Sequence, residues 1–191
     1  MSKDLTMLVR NLVLTSLLAI CFGGTAAASE ADAWKALGEG AIVLFRHANA
    51  PGGGDPPNMQ IGNCASQRNL DAVGRAQAQR IGQAFRTRAI NVSGVLASQW
   101  CRTLETGRLA FGTRVTEEPV FNSFFDDRGK GPDQTRAALA LLSGKGPEGA
   151  LVVITHQVNI TSLTGIFPAS GEGIVVRISD GQAKVIGNVK P

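Results

Sequence analysis

The chain has 191 residues, 43% hydrophobic and 18% charged, with a formal net charge of +4, enough to bury one core and too little for two ordinary domains. No collagen-like period, heptad run or solenoid repeat is present, and the length excludes a polytopic membrane protein. The positive residues are scattered rather than clustered, which argues against a nucleic-acid partner.

Residues 1–28 come first in chain order. Lys3 and Arg10 precede the apolar run Leu12 to Phe22, and the segment closes on Ala26-Ala27-Ala28, the basic, apolar, small-residue order of a secretory signal peptide. The run falls short of the ~20 residues of a spanning helix and is interrupted by Gly23-Gly24. Cleavage after Ala28 is expected in preference to an uncleaved anchor. It would leave a single domain over 29–191, periplasmic or secreted, with no stable membrane insertion. Lys3, Arg10 and Asp4 would leave with the segment, so the domain keeps +3 of the +4. Cys21 would leave too, and Cys64 and Cys101 remain. In an oxidising compartment that even pair is either a disulfide or two buried thiols.

From Ser29 to Gly40 the sequence predicts a short helix with Trp34 and Leu37 on one side. Ala41 to Phe45 is a continuous apolar run, as in a strand buried on both faces. Asn49 to Cys64, rich in proline and glycine, predicts a loop. Asp71 is expected to N-cap a helix whose apolar stripe runs Val73, Ala76, Ile81, Ala84 and Phe85. A strand at Gly94 to Ala97, a helix near Cys101 to Phe111 and a short strand at Val115 to Thr116 follow. Asp133 is expected to cap a further helix through Leu142, stopped by Gly144. Leu151 to Thr155 is the second long apolar strand and Val158 to Ile166 a helix. Ile174 to Ile178 and Ala183 to Ile186 read as a closing hairpin around Asp180-Gly181. This alternation implies an α/β protein, a three-layer α/β/α sandwich with a mostly parallel central sheet and an antiparallel edge.

The chain contains two histidines, His47 and His156, each just past the C-terminal end of one of the two most apolar strands. Ligands of open α/β sheets bind beyond the carboxyl ends of the parallel strands, so both imidazoles are expected in that crevice. Two histidines without a carboxylate at ligand spacing make a poor metal set, and Arg46 beside one of them would repel a cation. No metal and no cofactor is expected; Arg46 points to an anion. Arg102 strengthens this, because it lies where the strand ending at Ala97 passes into a helix. There a guanidinium fork grips phosphate oxygens and the helix start adds N–H donors. Gly52-Gly53-Gly54, followed by Asp55, lacks the lysine and hydroxyl of a P-loop and reads as a flexible turn. Arg68, Asn69 and Asn159 either line the pocket or serve caps and loop packing.

These segments resemble the histidine phosphatase superfamily, the group that includes phosphoglycerate mutases and acid phosphatases. Leu44-Phe45-Arg46-His47-Ala48 resembles its Arg-His-Gly opening, Leu70 to Ala78 its LTxxGxxQA helix, Ser98 to Thr106 its SxxxRxxxTA motif, and Val153-Ile154-Thr155-His156 its second histidine strand. Ala48 and Gly107 replace the usual glycine and alanine. The resemblance implies a phosphoglycerate mutase-like fold with His47 as nucleophile, forming a phosphohistidine that water hydrolyses. Arg46, Arg102 and His156 would bind the phosphate with it and stabilise the spreading charge.

The group that protonates the leaving group is open at this point. One branch of the superfamily carries an aspartate directly after the second histidine; here that position is Gln157. The segment after the Arg102 helix offers Glu117, Glu118, Asp126 and Asp127. Phe124-Phe125 is expected to desolvate Asp126 and Asp127 and raise a carboxyl pKa, unless both are plain surface charges. The resulting expectation is an exported, metal-independent hydrolase of small-molecule or glycan phosphate esters. The alternatives are a phosphomutase and a non-catalytic phosphate- or phosphoglycan-binding module.

Overall fold

The computed structural model describes residues 29–144 and 148–191, so the expected signal peptide over 1–28 lies outside the described residues. In chain order the elements are α1 (Glu30–Gly38), β1 (Ile42–Arg46), α2 (Ala72–Thr87), β2 (Val92–Ala97), α3 (Cys101–Phe111), β3 (Val115–Glu117), α4 (Gly131–Ser143), β4 (Ala150–Thr155), α5 (Gln157–Thr164), β5 (Gly173–Ser179) and β6 (Gln182–Val189). The strands form one sheet in the order β3-β2-β4-β1-β5-β6. β1 to β4 are mutually parallel, and β5 pairs antiparallel with both β1 and β6.

The three layers follow from the alternation of side chains along the strands. Val43, Phe45, Val95, Val152, Ile154 and Val175 point to one face and pack with Trp34, Leu37, Ile81, Phe85 and Leu104 of α1, α2 and α3. Ile42, Leu44, Leu151, Val153, Ile174 and Val176 point to the other, against Ala138 and Leu142 of α4 and Ile160 and Leu163 of α5. Every residue of β4 is buried, which is why its sequence carries no polar alternation. Among the described residues no helix is long and apolar enough to cross a membrane.

Two helical expectations are corrected. Asp71 does cap α2, accepting the Gly74 N–H at 2.7 Å, but the expected stripe is rotated: Val73 is 64% exposed and Ala76 is exposed. The buried face is Gly74, Ala78, Ile81, Gly82 and Phe85. A Cβ on Gly74 would lie 2.0 Å from the Asn49 carbonyl oxygen and one on Gly82 would lie 2.1 Å from that of Ala110. Ile81 and Phe85 of the expected stripe are thus on the buried face, and close backbone approach at the two glycines completes it where hydrophobicity alone gives no signal. Asp133 does not cap α4. The helix begins two residues earlier, at Gly131, because Pro132 presets φ and needs no N–H partner in a first turn. Asp133 lies inside that turn and pairs with Arg136. The hairpin turns at Asp180 and Gly181, both at positive φ (54° and 68°), the geometry of a two-residue type I′ connection.

Candidate active site

The site is a product of parallel register. Phe45 pairs with Ile154 and Arg46 with Thr155 across β1 and β4, and the His47 N–H extends the ladder to the Thr155 carbonyl at 3.0 Å. One step beyond each strand end, His47 and His156 stand side by side with ring centroids 5.5 Å apart. β2 flanks β4 on its other side, and Ser98 continues it by donating to the Ile154 carbonyl at 3.0 Å. The chain then turns into α3, whose second residue, Arg102, points back between the imidazoles. Its Nε donates to His47 Nε2 at 3.2 Å and its Nη2 to His156 Nδ1 at 3.4 Å. All three side chains are at most 4% exposed.

Hydrogen bonding sets the tautomers. His47 Nδ1 lies 2.8 Å from the Ala48 carbonyl, which only accepts, so the proton sits on Nδ1 and Nε2 keeps its lone pair. The Ala48 N–H donates to Thr106 Oγ1 at 3.1 Å, and that hydroxyl donates to the Arg102 carbonyl at 2.7 Å. The nucleophile's loop is thereby tied to α3. His156 accepts from Arg102 on Nδ1, so its Nε2–H donates to Ser98 Oγ at 2.8 Å, which donates onward to Asn122 Oδ1 at 3.2 Å. Burial, reinforced by the charge of Arg102, pushes the His47 pKa down to about 3, against the weaker raising effect of the Ala48 carbonyl. Burial and Arg102 also hold His156 well below the ordinary imidazole range. Both rings are neutral near pH 7.

A cavity of about 170 Å³ opens over these groups, walled by Arg46, Gly52 to Asp55, Arg68, Phe125, Asp126 and Phe167. Arg46 donates through Nη1 to the Pro168 carbonyl at 3.0 Å and stands over the Phe167 ring, while its buried Nε has no partner among the described residues. Arg68 donates to the carbonyls of Ala50 and Gly54. Among the described residues no cluster of three or more metal-ligating side chains occurs.

Sequence reasoning missed Asp55. Its carboxylate grips Arg102 through both oxygens, at 2.7 and 2.9 Å, and accepts from Trp100 Nε1 at 2.9 Å and the Arg68 N–H at 3.2 Å. The pair is deeply buried, with side-chain exposures of 3% for Arg102 and 7% for Asp55. Burial acts to raise the Asp55 carboxyl pKa, but the hydrogen bonds and charge of Arg102 and the Trp100 donor outweigh it and hold the pKa below its ordinary value. A disulfide between Cys64 and Cys101, Cα atoms 5.6 Å apart, fastens this loop to the residue before Arg102. The Gln67 side chain reinforces the junction by accepting from the Cys101 N–H at 2.9 Å.

The carboxylates after α3 do not behave as a desolvated pair. Phe124 is buried but Phe125 is 47% exposed, and Asp126 and Asp127 are both exposed. Asp126 lies on the cavity wall, whereas Asp127 turns to Lys130 at 3.0 Å and does not line the cavity. Glu118 accepts from the Val120 N–H, and Glu117 is exposed at the end of β3. Asn159 sits behind the site, donating to Thr155 Oγ1 and the Phe121 carbonyl, both at 2.6 Å. Asn69 braces its loop through the Cys64 and Gln67 carbonyls.

The fold is shared with solved structures. The product of the open reading frame Rv3214 of Mycobacterium tuberculosis matches with a TM-score of 0.58 at 16% identity, over 76% of this chain and 95% of that one. The protein histidine phosphatase SixA, complexed with tungstate, matches at 0.54 and 16% identity, over 79% and 97%. Phosphoserine phosphatase of Entamoeba histolytica, in complex with 3-phosphoglyceric acid, matches at 0.54 and 13% identity, over 78% and 95%. No family model and no curated relative matches the sequence. The architecture is thus phosphoglycerate mutase-like, with the mixed six-stranded sheet described above.

Proposed function

We propose that this chain is a phosphomonoester hydrolase of the histidine phosphatase type, acting through a phosphohistidine on His47 without a metal. One observation carries the reading: a buried neutral imidazole, its proton fixed on Nδ1 by the Ala48 carbonyl, presents an Nε2 lone pair at the cavity floor beside Arg102 and His156. The solved structures named for phosphatase activity share this fold and support the reading.

In the first step the Arg102 Nε–H turns from His47 Nε2 to a phosphoryl oxygen, the freed Nε2 lone pair attacks phosphorus, the P–N bond forms and the P–O bond to the leaving group breaks. Arg46 and Arg102, both on the cavity lining, face the equatorial oxygens, where charge accumulates. His156 donates to a phosphoryl oxygen as its Nδ1–H tautomer, reached by exchange of the Nε2 proton with solvent once Arg102 has turned from Nδ1 to the phosphoryl group, with the Ser98 hydroxyl then donating to Nε2. Asp126, the carboxylate on the outer cavity wall, protonates the departing oxygen. Water then attacks the phosphohistidine, giving its proton to Asp126, and phosphate leaves with Nε2 regenerated. The exposure of Asp126 favours substrates with good leaving groups.

The leader-like residues 1–28 and the bridged Cys64 and Cys101 support an exported protein working in an oxidising compartment. A cavity of about 170 Å³ takes the phosphoryl end of a small-molecule or glycan phosphate ester, the rest of which lies outside it. The test is hydrolysis of p-nitrophenyl phosphate by residues 29–191 with a chelator present, comparing wild type with His47→Ala. Wild-type turnover, with a base-stable phosphoenzyme that the variant lacks, is expected. Equal rates in the two proteins would reduce the site to a binding module, and transfer of phosphate to a second position of the same substrate would make it a mutase.

A further inference from the structure

The Arg102 guanidinium has five N–H donors, and all five are spent inside the protein: one on His47, two on the Asp55 carboxylate, one on the Arg68 carbonyl and one on His156. The fork that a phosphoryl group would take is filled by a carboxylate. A planar carboxylate with two oxygens against Nη1 and Nη2 makes the same two parallel hydrogen bonds as two phosphate oxygens. Asp55 also lines the cavity itself. It follows Gly52-Gly53-Gly54, a run in which no added side chain would meet anything closer than 3.5 Å and in which Gly52 and Gly54 have positive φ. Among the described residues the side-chain hydrogen bonds to this stretch are those of Asp55 and those of Arg68 to Ala50 and Gly54. The disulfide anchors the far end of the loop, at Cys64, nine residues beyond Asp55, and does not itself fix residues 52–55.

We propose that Asp55 is a specificity-determining residue that stands in for the phosphoryl group on Arg102, so that substrate binding is an exchange of one anion for another. An incoming oxyanion binds only if it out-competes an internal bidentate carboxylate. A weakly charged or singly oxygenated ligand fails, whereas a phosphoryl group, with three oxygens to offer His156, Arg46 and Arg102 together, succeeds. Displaced from Arg102, Asp55 keeps its Trp100 partner within reach on the cavity wall. The proposal rests on the phosphate-pocket reading given above but not on turnover, because it concerns occupancy of Arg102.

The test is calorimetric titration of the disulfide-intact domain with inorganic phosphate, comparing wild type with Asp55→Asn and Asp55→Ser. Asparagine retains an acceptor for Trp100 while removing the competing charge; serine removes the fork altogether. Thermal melts check that both variants fold. The expected result is phosphate binding tightened by about tenfold or more in both variants, the loss of one charge-assisted competitor, with KM falling more than kcat in a turnover assay. Unchanged or weaker binding in the folded variants overturns the proposal, since it would make Asp55 a brace that presents Arg102 to the ligand. A protein that binds phosphate with this pattern yet forms no phosphohistidine would retain the exchange and lose the hydrolase reading. Phosphohistidine formation with no tightening would do the reverse.

Discussion

Replacing His47 by glutamine tests the premise that the nucleophile is stored as a free base. In the folded protein its pKa lies at about 3, against 6.5 for an unhindered imidazole. Between those values the unfolded chain holds a proton on His47 that the folded protein does not, so stability is full above pH 6.5 and falls as pH falls toward 3. The slope for one such group is about 1.4 kcal/mol per pH unit, so acidification from pH 6.5 to 4.5 removes about 2 to 3 kcal/mol through His47 alone. The glutamine variant loses the Ala48 and Arg102 contacts at every pH but has no group to titrate. Urea unfolding followed by tryptophan fluorescence, at pH 6.5 and 4.5 with the disulfide intact, should show the stability gap between wild type and variant shifting by that amount in favour of the variant. His156 and the carboxylates are common to both proteins and largely cancel. A gap independent of pH would mean that His47 is protonated in the folded state, with its lone pair blocked and no nucleophile to offer.

Cys64→Ser/Cys101→Ser should lower stability by about 4 kcal/mol, the chain-entropy value for a loop of this length, with a sequence separation of 37; chemical denaturation of the oxidised protein and the variant measures it. Gly82→Ala should cost several times more than Gly53→Ala in thermal melts, because the first places a Cβ 2.1 Å from a backbone oxygen and the second meets nothing within 4 Å. Asp126→Asn should slow an alkyl phosphate by about a hundredfold while sparing p-nitrophenyl phosphate, the pattern of a lost proton donor; equal effects on both substrates would remove Asp126 from the chemistry.

The parts of the site legible in the sequence are those that strand register determines. The apolar runs before His47 and His156 mark central parallel strands, and ligand crevices lie beyond the carboxyl ends of such strands, so the convergence of two distant histidines could be read from their positions alone. Arg102 was readable for the same reason, at a strand-to-helix junction. Asp55 was not, because a carboxylate in a proline- and glycine-rich stretch has the composition of a turn, and its partner lies across the fold. The nearest signal was Cys101 beside Arg102: a bridge to Cys64 pulls that loop against α3 and brings its acidic residue with it. The buried face of α2 was legible at Ile81 and Phe85 and escaped at its start, where Gly74 defines it. The exposure of Asp126 and Asp127 was not legible because Phe124 and Phe125 diverge, one into the core and one to solvent, and adjacency in sequence says nothing of that.

The strand order has a consequence for how the protein is assembled. β4, near the C-terminal end, is inserted between β1 and β2, which are made earlier. A nascent chain lacking residues after Ser143 has an empty slot at the middle of its sheet, and His47 then has neither the Thr155 carbonyl nor the His156 ring beside it. Cys64 and Cys101 both precede that slot, so oxidation can staple the Asp55 loop onto the start of α3 before the second imidazole has emerged. Reactivity is therefore withheld until the last quarter of the polypeptide has threaded home.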